Sequence, residues 1–410
     1  MKLMKSAALA AALGFVAMGA SADTLKIGFI DPLSGPFGPS GDAALKHWMY
    51  AAQEVNKAGG INGDEVENLG FDNKINPKES LVQFQKAIDQ GARIIVQGNG
   101  SSVASALIDA VEKHNKRNPG DEVLFLNYAA VDPSFTNDRC SYWHFRFDSH
   151  ADMKMSAVTD WIAARPEIKK VYVIGQDYSF GQANSRSAEA MLKEKRPDIE
   201  IVGNELHPLG KVKDFTPYIQ KIMQAEADAV ITGNWGADMV LLIKAAIGSG
   251  SKIPYLTFYG GSLGAATAIG EDGVGQLYQI SEVNTNLETT TEQDARIDGY
   301  EAEFEDSYYY HRVFNAMTML DQAAEKAGSN DVVEIAKALE GATLDMPYGK
   351  ITMRAEDHQI LQPLFMSVFT NKDLKRGVEG LPLGWTSGDV DRVEAEATAM
   401  PTTCKMERPE

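Results

Sequence analysis

The chain has 410 residues and a formal charge of −18, from 39 Lys and Arg against 57 Asp and Glu. Its 44% apolar and 23% charged content excludes collagen-like and wholly disordered chains, and the length suits two or three domains. The acidic balance argues against nucleic acid or an anionic membrane surface as partner, because both select Lys and Arg.

Residues 1–22 are expected to be a signal peptide. Met1 to Lys5 carries two lysines and no acid, an apolar run follows, and Ala20-Ser21-Ala22 offers an A-x-A cleavage site before Asp23. The run is too short to span a bilayer comfortably. Export shapes the reading of the two cysteines, Cys140 and Cys404. In an oxidising compartment they are most simply one disulfide, tying the C-terminal tail to the first half; two separate buried thiols are the alternative. Two cysteines exclude a disulfide-rich scaffold and a four-cysteine zinc site.

From Leu25 the chain alternates short apolar runs with helical periods. Leu25 to Ile30 predicts a buried strand, and Leu45, Trp48, Ala52 and Val55 recur on one helical face that Gly59-Gly60 stops. Asn76-Pro77-Lys78-Glu79 predicts a helix start, with Asn as N-cap and Pro at the first position. Strands at 93–96 and 123–126 flank a helix at 101–116. After a junction at 148–152 the pattern restarts. Strands at 171–174, 199–202, 229–232 and 255–258 are interleaved with helices ending at 164, 195, 224 and 247. Such alternation predicts βαβ units and parallel sheets, and two series predict two α/β lobes. Helices at 293–307, 312–326 and 332–339 and strands at 350–353 and 364–369 complete the chain.

One catalytic motif is present: Gly260-Gly261-Ser262-Leu263-Gly264 fits G-x-S-x-G after a strand. A secreted hydrolase would need Ser262 to meet a base, with His311 or His358 in the right chain order. The competing reading is a glycine loop that brings backbone close to a ligand. The seven histidines show no metal-binding spacing, and no phosphate loop is present, so no metal or cofactor is expected. The loops at the carboxyl ends of the strands carry more, because ligands of open α/β sheets bind there. Asn99, Ser101 and Ser102 open a helix, where backbone N–H groups and hydroxyls suit a carboxylate; simple N-capping by Ser101 is the plainer reading. Tyr128 and Ala129 end the next strand. Asp177 and Phe180, then Asn234 and Trp235, then Tyr259, end three strands of the second lobe. Aromatic rings repeated at one edge predict the walls of a cleft for an apolar or aromatic body.

These pieces resemble the periplasmic substrate-binding proteins of branched-chain amino-acid type ABC transporters, over nearly the whole chain after the leader. The landmarks are Leu25-Lys26-Ile27-Gly28 with Pro32-Leu33-Ser34-Gly35-Pro36, Asn56-Lys57-Ala58-Gly59-Gly60-Ile61-Asn62-Gly63, Asp72-Asn73-Lys74, Asp177-Tyr178-Ser179-Phe180-Gly181, Lys213-Asp214-Phe215 and Tyr348-Gly349-Lys350-Ile351. The resemblance implies a type I periplasmic binding fold, in which two doubly wound parallel-sheet lobes are joined by a hinge that closes on ligand. It places lobe 1 at 23–148 plus 282–356, lobe 2 at 149–281 plus 357–385, and a tail at 386–410. It also implies a non-enzymatic, periplasmic protein that delivers a small molecule to permease subunits in the inner membrane. A monomer is expected. A sensor of the same fold is the neighbouring alternative.

The departures from the family point to the ligand. Its amino-acid binders grip the carboxylate with Ser and Thr of lobe 1 and the ammonium with an acid of lobe 2. Ser101 or Ser102 matches the serine, Val131 replaces the threonine, and Tyr259 or Gly260 replaces the acid; Phe180 and Trp235 match tyrosines. The expected ligand is therefore an aromatic or other carboxylate without an α-ammonium. Asp177 or Glu282 replacing the acid, and an ordinary amino-acid ligand, remain the alternative.

Overall fold

The computed structural model describes residues 24–386 and 391–409; the expected signal peptide lies outside the described residues. The first half builds β1 (Thr24–Asp31), α1 (Gly38–Lys57), β2 (Glu65–Asp72), α2 (Pro77–Asp89), β3 (Ile94–Gln97), α3 (Ser101–Arg117), β4 (Leu124–Asn127) and β5 (His144–Arg146). These five strands form a parallel sheet in the order β2-β1-β3-β4-β5. Every residue of β3 and β4 is buried, as expected for central strands covered by helices on both faces. The predicted start of α2 holds in detail, since the Asn76 side chain accepts from the N–H groups of Lys78 and Glu79 at 2.9 and 3.2 Å.

A second series follows: α4 (Ala151–Ala163), β6 (Lys170–Gln176), α5 (Ser179–Lys195), β7 (Glu200–His207), α6 (Thr216–Gln224), β8 (Ala229–Thr232), α7 (Gly236–Gly248), β9 (Tyr255–Thr257), α8 (Ala265–Ile269) and β10 (Leu277–Ser281). The chain then returns to the first lobe. There α9 (Thr291–Phe304), α10 (His311–Ala327), α11 (Val332–Leu339), β11 (Thr343–Met346), β12 (Gly349–Met353) and β13 (Ile360–Leu361) contribute residues that join the first hydrophobic core. A last passage adds β14 (Leu364–Thr370), β15 (Gly384–Thr386) and β16 (Arg392–Val393) to the second lobe, and α12 (Ala395–Thr398) then packs between α4 of that lobe and β12 and β13 of the first. The second sheet runs β15-β14-β10-β9-β8-β6-β7, with β16 also on β14, and its β14 edge is antiparallel. No helix among the described residues is long and apolar enough to cross a membrane.

The lobes are thus joined at three passages, near 147–150, 282–290 and 362–363. The third falls after Leu361 because Ile360 and Leu361 still pair with β12, a few residues later than the expected 357. The first part of the expected tail also differs, since β16 pairs in the second sheet.

Cys140 and Cys404 are joined by a disulfide across a sequence separation of 264. The tail lies along the first lobe before reaching it: Thr402 Oγ1 donates to Thr136 O at 2.7 Å, and Arg354 Nη1 to Met400 O at 2.7 Å. Because β16 belongs to the second sheet, the tail is a fourth, covalent strap between the lobes. Cys140→Ser with Cys404→Ser is expected to lower stability by about 2–4 kcal/mol. The measurement is thermal melting of the double variant beside the parent with and without reductant; reductant should move only the parent, and equal melting of both proteins in oxidant would contradict the role given to the strap.

Candidate ligand-binding cleft

Helix N-termini decide the character of the space between the lobes. An α-helix leaves its first N–H groups without partners and carries about half a positive charge at that end. Elsewhere the N-cap side chain fills this role in four helices, Asn76 for α2, His150 for α4, Thr290 for α9 and Asp331 for α11, while α1, α6, α8 and α12 begin without one. At the cleft α3, α5, α7 and α10 begin at Gly100, Tyr178, Trp235 and Tyr310 with no side-chain cap. Gly100 has φ 95°, a conformation that favours glycine, and glycine has no side chain to offer as a cap. The plainer reading of Ser101 as N-cap is therefore corrected: Ser101 is the first helical residue, buried at the cleft.

The cleft is a partly open space of about 440 Å3, counting the part open to solvent. Of the ten expected contact residues, Asn99, Ser101, Ala129, Phe180, Trp235 and Tyr259 line it. The other four do not. Ser102 follows Ser101 by one helical step and so turns off the cleft. Tyr128 is fully buried, its hydroxyl bonded to the Asp31 carboxylate and accepting from Asn99 Nδ2 at 3.0 Å. Asn234 is buried against His207 Nε2, 2.9 Å from its Nδ2. Asp177 is exposed and accepts from Gln182 Nε2 at 3.0 Å.

Sequence reasoning missed Tyr309, Tyr310 and Arg312, which wall the cleft from the start of α10. The run Tyr308-Tyr309-Tyr310-His311-Arg312 was the available signal. Val131, in place of the expected threonine, and Tyr178 line the cleft too. Trp235 Nε1 donates to Tyr178 Oη at 2.8 Å, so the Tyr178 hydroxyl proton is free to donate elsewhere. Burial raises the pKa of Tyr178, Tyr259, Tyr309 and Tyr310, and all four remain phenols. Behind Trp235, Phe37 of the first lobe reaches into the second. Its ring lies 4.3 Å from that of Trp235, in a socket where Gly210 and Gly236, both at positive φ, leave room that a Cβ would fill.

Arg312 is the one charged side chain in this lining. It is 3% exposed, and its Nη1 lies 2.9 Å from Glu282 and 3.2 Å from Asp148. Asp148 also meets Lys154 at 2.8 Å, and the Lys154 ammonium sits over the Tyr259 ring at 4.7 Å. Burial lowers the Arg312 pKa, but the Asp148 and Glu282 carboxylates outweigh it and raise the value overall. Burial lowers that of Lys154, with Asp148 opposing. Asp148 lies on the first passage between lobes and Glu282 on the second. Gln359, before the third, donates to Asp148 O at 2.9 Å and accepts from Arg146 Nε at 2.7 Å. Two acids and two bases therefore knot the hinge. Arg312→Met would leave both carboxylates short of a counter-charge and is expected to cost about 3–5 kcal/mol, checked by urea unfolding; a loss under about 1 kcal/mol would contradict the knot.

Asp31, at the end of β1, fixes the loop that leads into α3. It accepts from the N–H groups of Gly98 and Asn99, both at 3.0 Å, and from Tyr128. Burial, against these donors, pushes its carboxyl up to about 7. Between about pH 4 and about pH 7 the folded chain then holds a proton that the unfolded chain has released, so stability falls as pH rises through that window. Asp31→Asn, which cannot titrate, should flatten this part of the slope in urea unfolding; identical slopes for parent and variant would refute the raised value.

The Gly260–Gly264 loop packs its backbone closely on side chains of its own lobe. A Cβ on Gly260 would meet Thr257 Oγ1 at 2.4 Å, and one on Gly261 would meet Trp385 Nε1 at 2.8 Å. Ser262 Oγ lines the cleft without a hydrogen-bond partner. His358 is committed elsewhere, to Glu340 at 2.9 Å and to a stack on Phe145. Ser262 has no base bonded to it among the described residues, and the hydrolase reading has no support.

A family model for periplasmic binding proteins matches residues 24–373. The chain belongs to the periplasmic binding protein family. It is 32% identical over 402 residues to the Leu/Ile/Val-binding protein homolog 4 of Brucella abortus, covering 96% of this chain and 95% of that one. It is 26% identical to the leucine-, isoleucine-, valine-, threonine-, and alanine-binding protein of Pseudomonas aeruginosa, over 85% and 91% of the two chains. Among solved structures, the closed conformation of the similarly named protein from Brucella ovis superposes with TM-score 0.82 at 30% identity, covering 95% of this chain and all of that one. The fold is also that of a solute binding protein from R. palustris in complex with benzoate, with TM-score 0.76 at 19% identity over 93% and 99% of the chains. The two-lobed α/β architecture and the expected family are thereby established, and the family is one of binding proteins associated with ABC transporters.

Proposed function

We propose that this periplasmic binding protein captures a small carboxylate with an aromatic or apolar body and no α-ammonium, and hands it to the permease of an ABC importer. The observation that carries this reading is the charge pattern of the cleft. Four uncapped helix N-termini and Arg312 face it, and its lining has no acid. A carboxylate fits such a site at a helix N-terminus, with Ser101 beside it. An ammonium would have no counter-charge in the lining, at a cost of several kcal/mol. The rings of Tyr178, Phe180, Trp235, Tyr259 and Tyr309 supply flat apolar walls for the body.

The names of the relatives at 30–32% identity favour a second reading, an aliphatic amino acid. Isothermal titration calorimetry of the leaderless protein with benzoate, 4-hydroxybenzoate and leucine separates the two. Micromolar binding of an aryl carboxylate with none of leucine is expected; the reverse result would sink the proposal.

A further inference from the structure

The cleft does not end at Tyr309 and Arg312. Beyond them lies a second chamber of about 620 Å3, whose walls include the same two residues. From the second lobe one loop divides the chambers, with Ser262 lining the first and Gly261 and Leu263 the second. Along this divide Ser262 Oγ, Arg312 Nε and Glu282 Oε2 are buried without a hydrogen-bond partner. Glu282 lines the second chamber and is 3% exposed. Its other carboxylate oxygen is bonded to Arg312 Nη1 at 2.9 Å. A buried acceptor left unpaired is costly, and here its side chain borders the second chamber.

Charge selects that group. Asp148, Glu282, Lys154 and Arg312 already balance as two acids and two bases. A neutral donor completes the Glu282 valence without disturbing this balance, and Glu379, the further acid of the chamber's lining, is already bonded to the N–H groups of Gly264 and Thr267, both at 2.6 Å. Phe258, Tyr308 and Trp385 give the chamber apolar walls on either side. We propose that the two chambers are one bipartite site for an elongated carboxylate. Its carboxylate lies at the α3 N-terminus, its body passes between Tyr309 and the Ser262 loop, and a hydroxyl or amide N–H at its far end donates to Glu282. This rests on the carboxylate reading above and extends it.

The test measures dissociation constants for benzoate and for 4-(hydroxyalkyl)benzoates of one to three carbons, each beside its 4-alkyl counterpart. In the parent protein at least one hydroxylated member is expected to bind tenfold or more tightly than its counterpart. Glu282→Met should abolish that preference. Leu263→Trp, which fills the second chamber from the opposite wall, should weaken the hydroxyalkyl ligand at least tenfold more than it weakens benzoate. No preference in the parent, or a preference kept in both variants, overturns the bipartite site. If benzoate binds and the preference is absent, only this inference falls; if no benzoate of any length binds the parent, the carboxylate reading falls with it.

Discussion

The structure turns on where helix N-termini are left bare. In a parallel α/β sheet every helix that follows a strand starts at the sheet's carboxyl edge, so several bare ends converge wherever two such edges face each other. The chain treats these ends unequally. Side chains of Asn76, Thr290 and Asp331 cap their helices, whereas Gly100, Tyr178, Trp235 and Tyr310 offer the four helices that start at the cleft no cap. Forgoing a cap costs about 1 kcal/mol per helix. What the molecule gains is a pocket whose positive potential is made of backbone, held rigid by two sheets. An acidic protein can thereby hold a binding site of opposite character without placing basic side chains in it beyond Arg312.

That arrangement needs a hinge that keeps two lobes in register while letting them part. The passages at Asp148, Glu282 and Gln359 are bound to one another through Arg312, Lys154 and Arg146. Such a buried ionic cluster is weak as a source of stability but strict about geometry, because each member is costly to leave alone. Arg312 belongs to this knot and to the lining of the cleft at once, so pocket and pivot share an atom group.

Much of the fold was legible because it rests on local signals. Apolar runs such as Ile94-Ile95-Val96 and the Asn76-Pro77 helix start are written in neighbouring residues. The strands that sequence reading passed over were β2, whose Glu65-Val66-Glu67-Asn68 is the polar pattern of an edge strand, together with β10, β11 and the two- and three-residue strands β5, β13, β15 and β16. At the site, loops that follow predicted strands yielded Ser101, Phe180, Trp235 and Tyr259. Tyr309, Tyr310 and Arg312 escaped because they join the cleft only when the chain returns to the first lobe, and no local pattern announces a contact with Asp148 more than 160 residues earlier. Tyr128 and Asn234 show the converse limit: at a strand end, a polar side chain that completes an internal hydrogen bond looks the same in sequence as one that meets a ligand.

Phe37 has a consequence for affinity itself. Its ring passes from one lobe into a glycine-lined socket of the other, so that closing the cleft removes apolar surface from water whether or not a ligand is enclosed. The protein therefore supplies part of the free energy of closure from its own chain. While the closed form is the minor one, each 1.4 kcal/mol supplied in this way raises its population about tenfold and lowers the apparent dissociation constant of every ligand by the same factor.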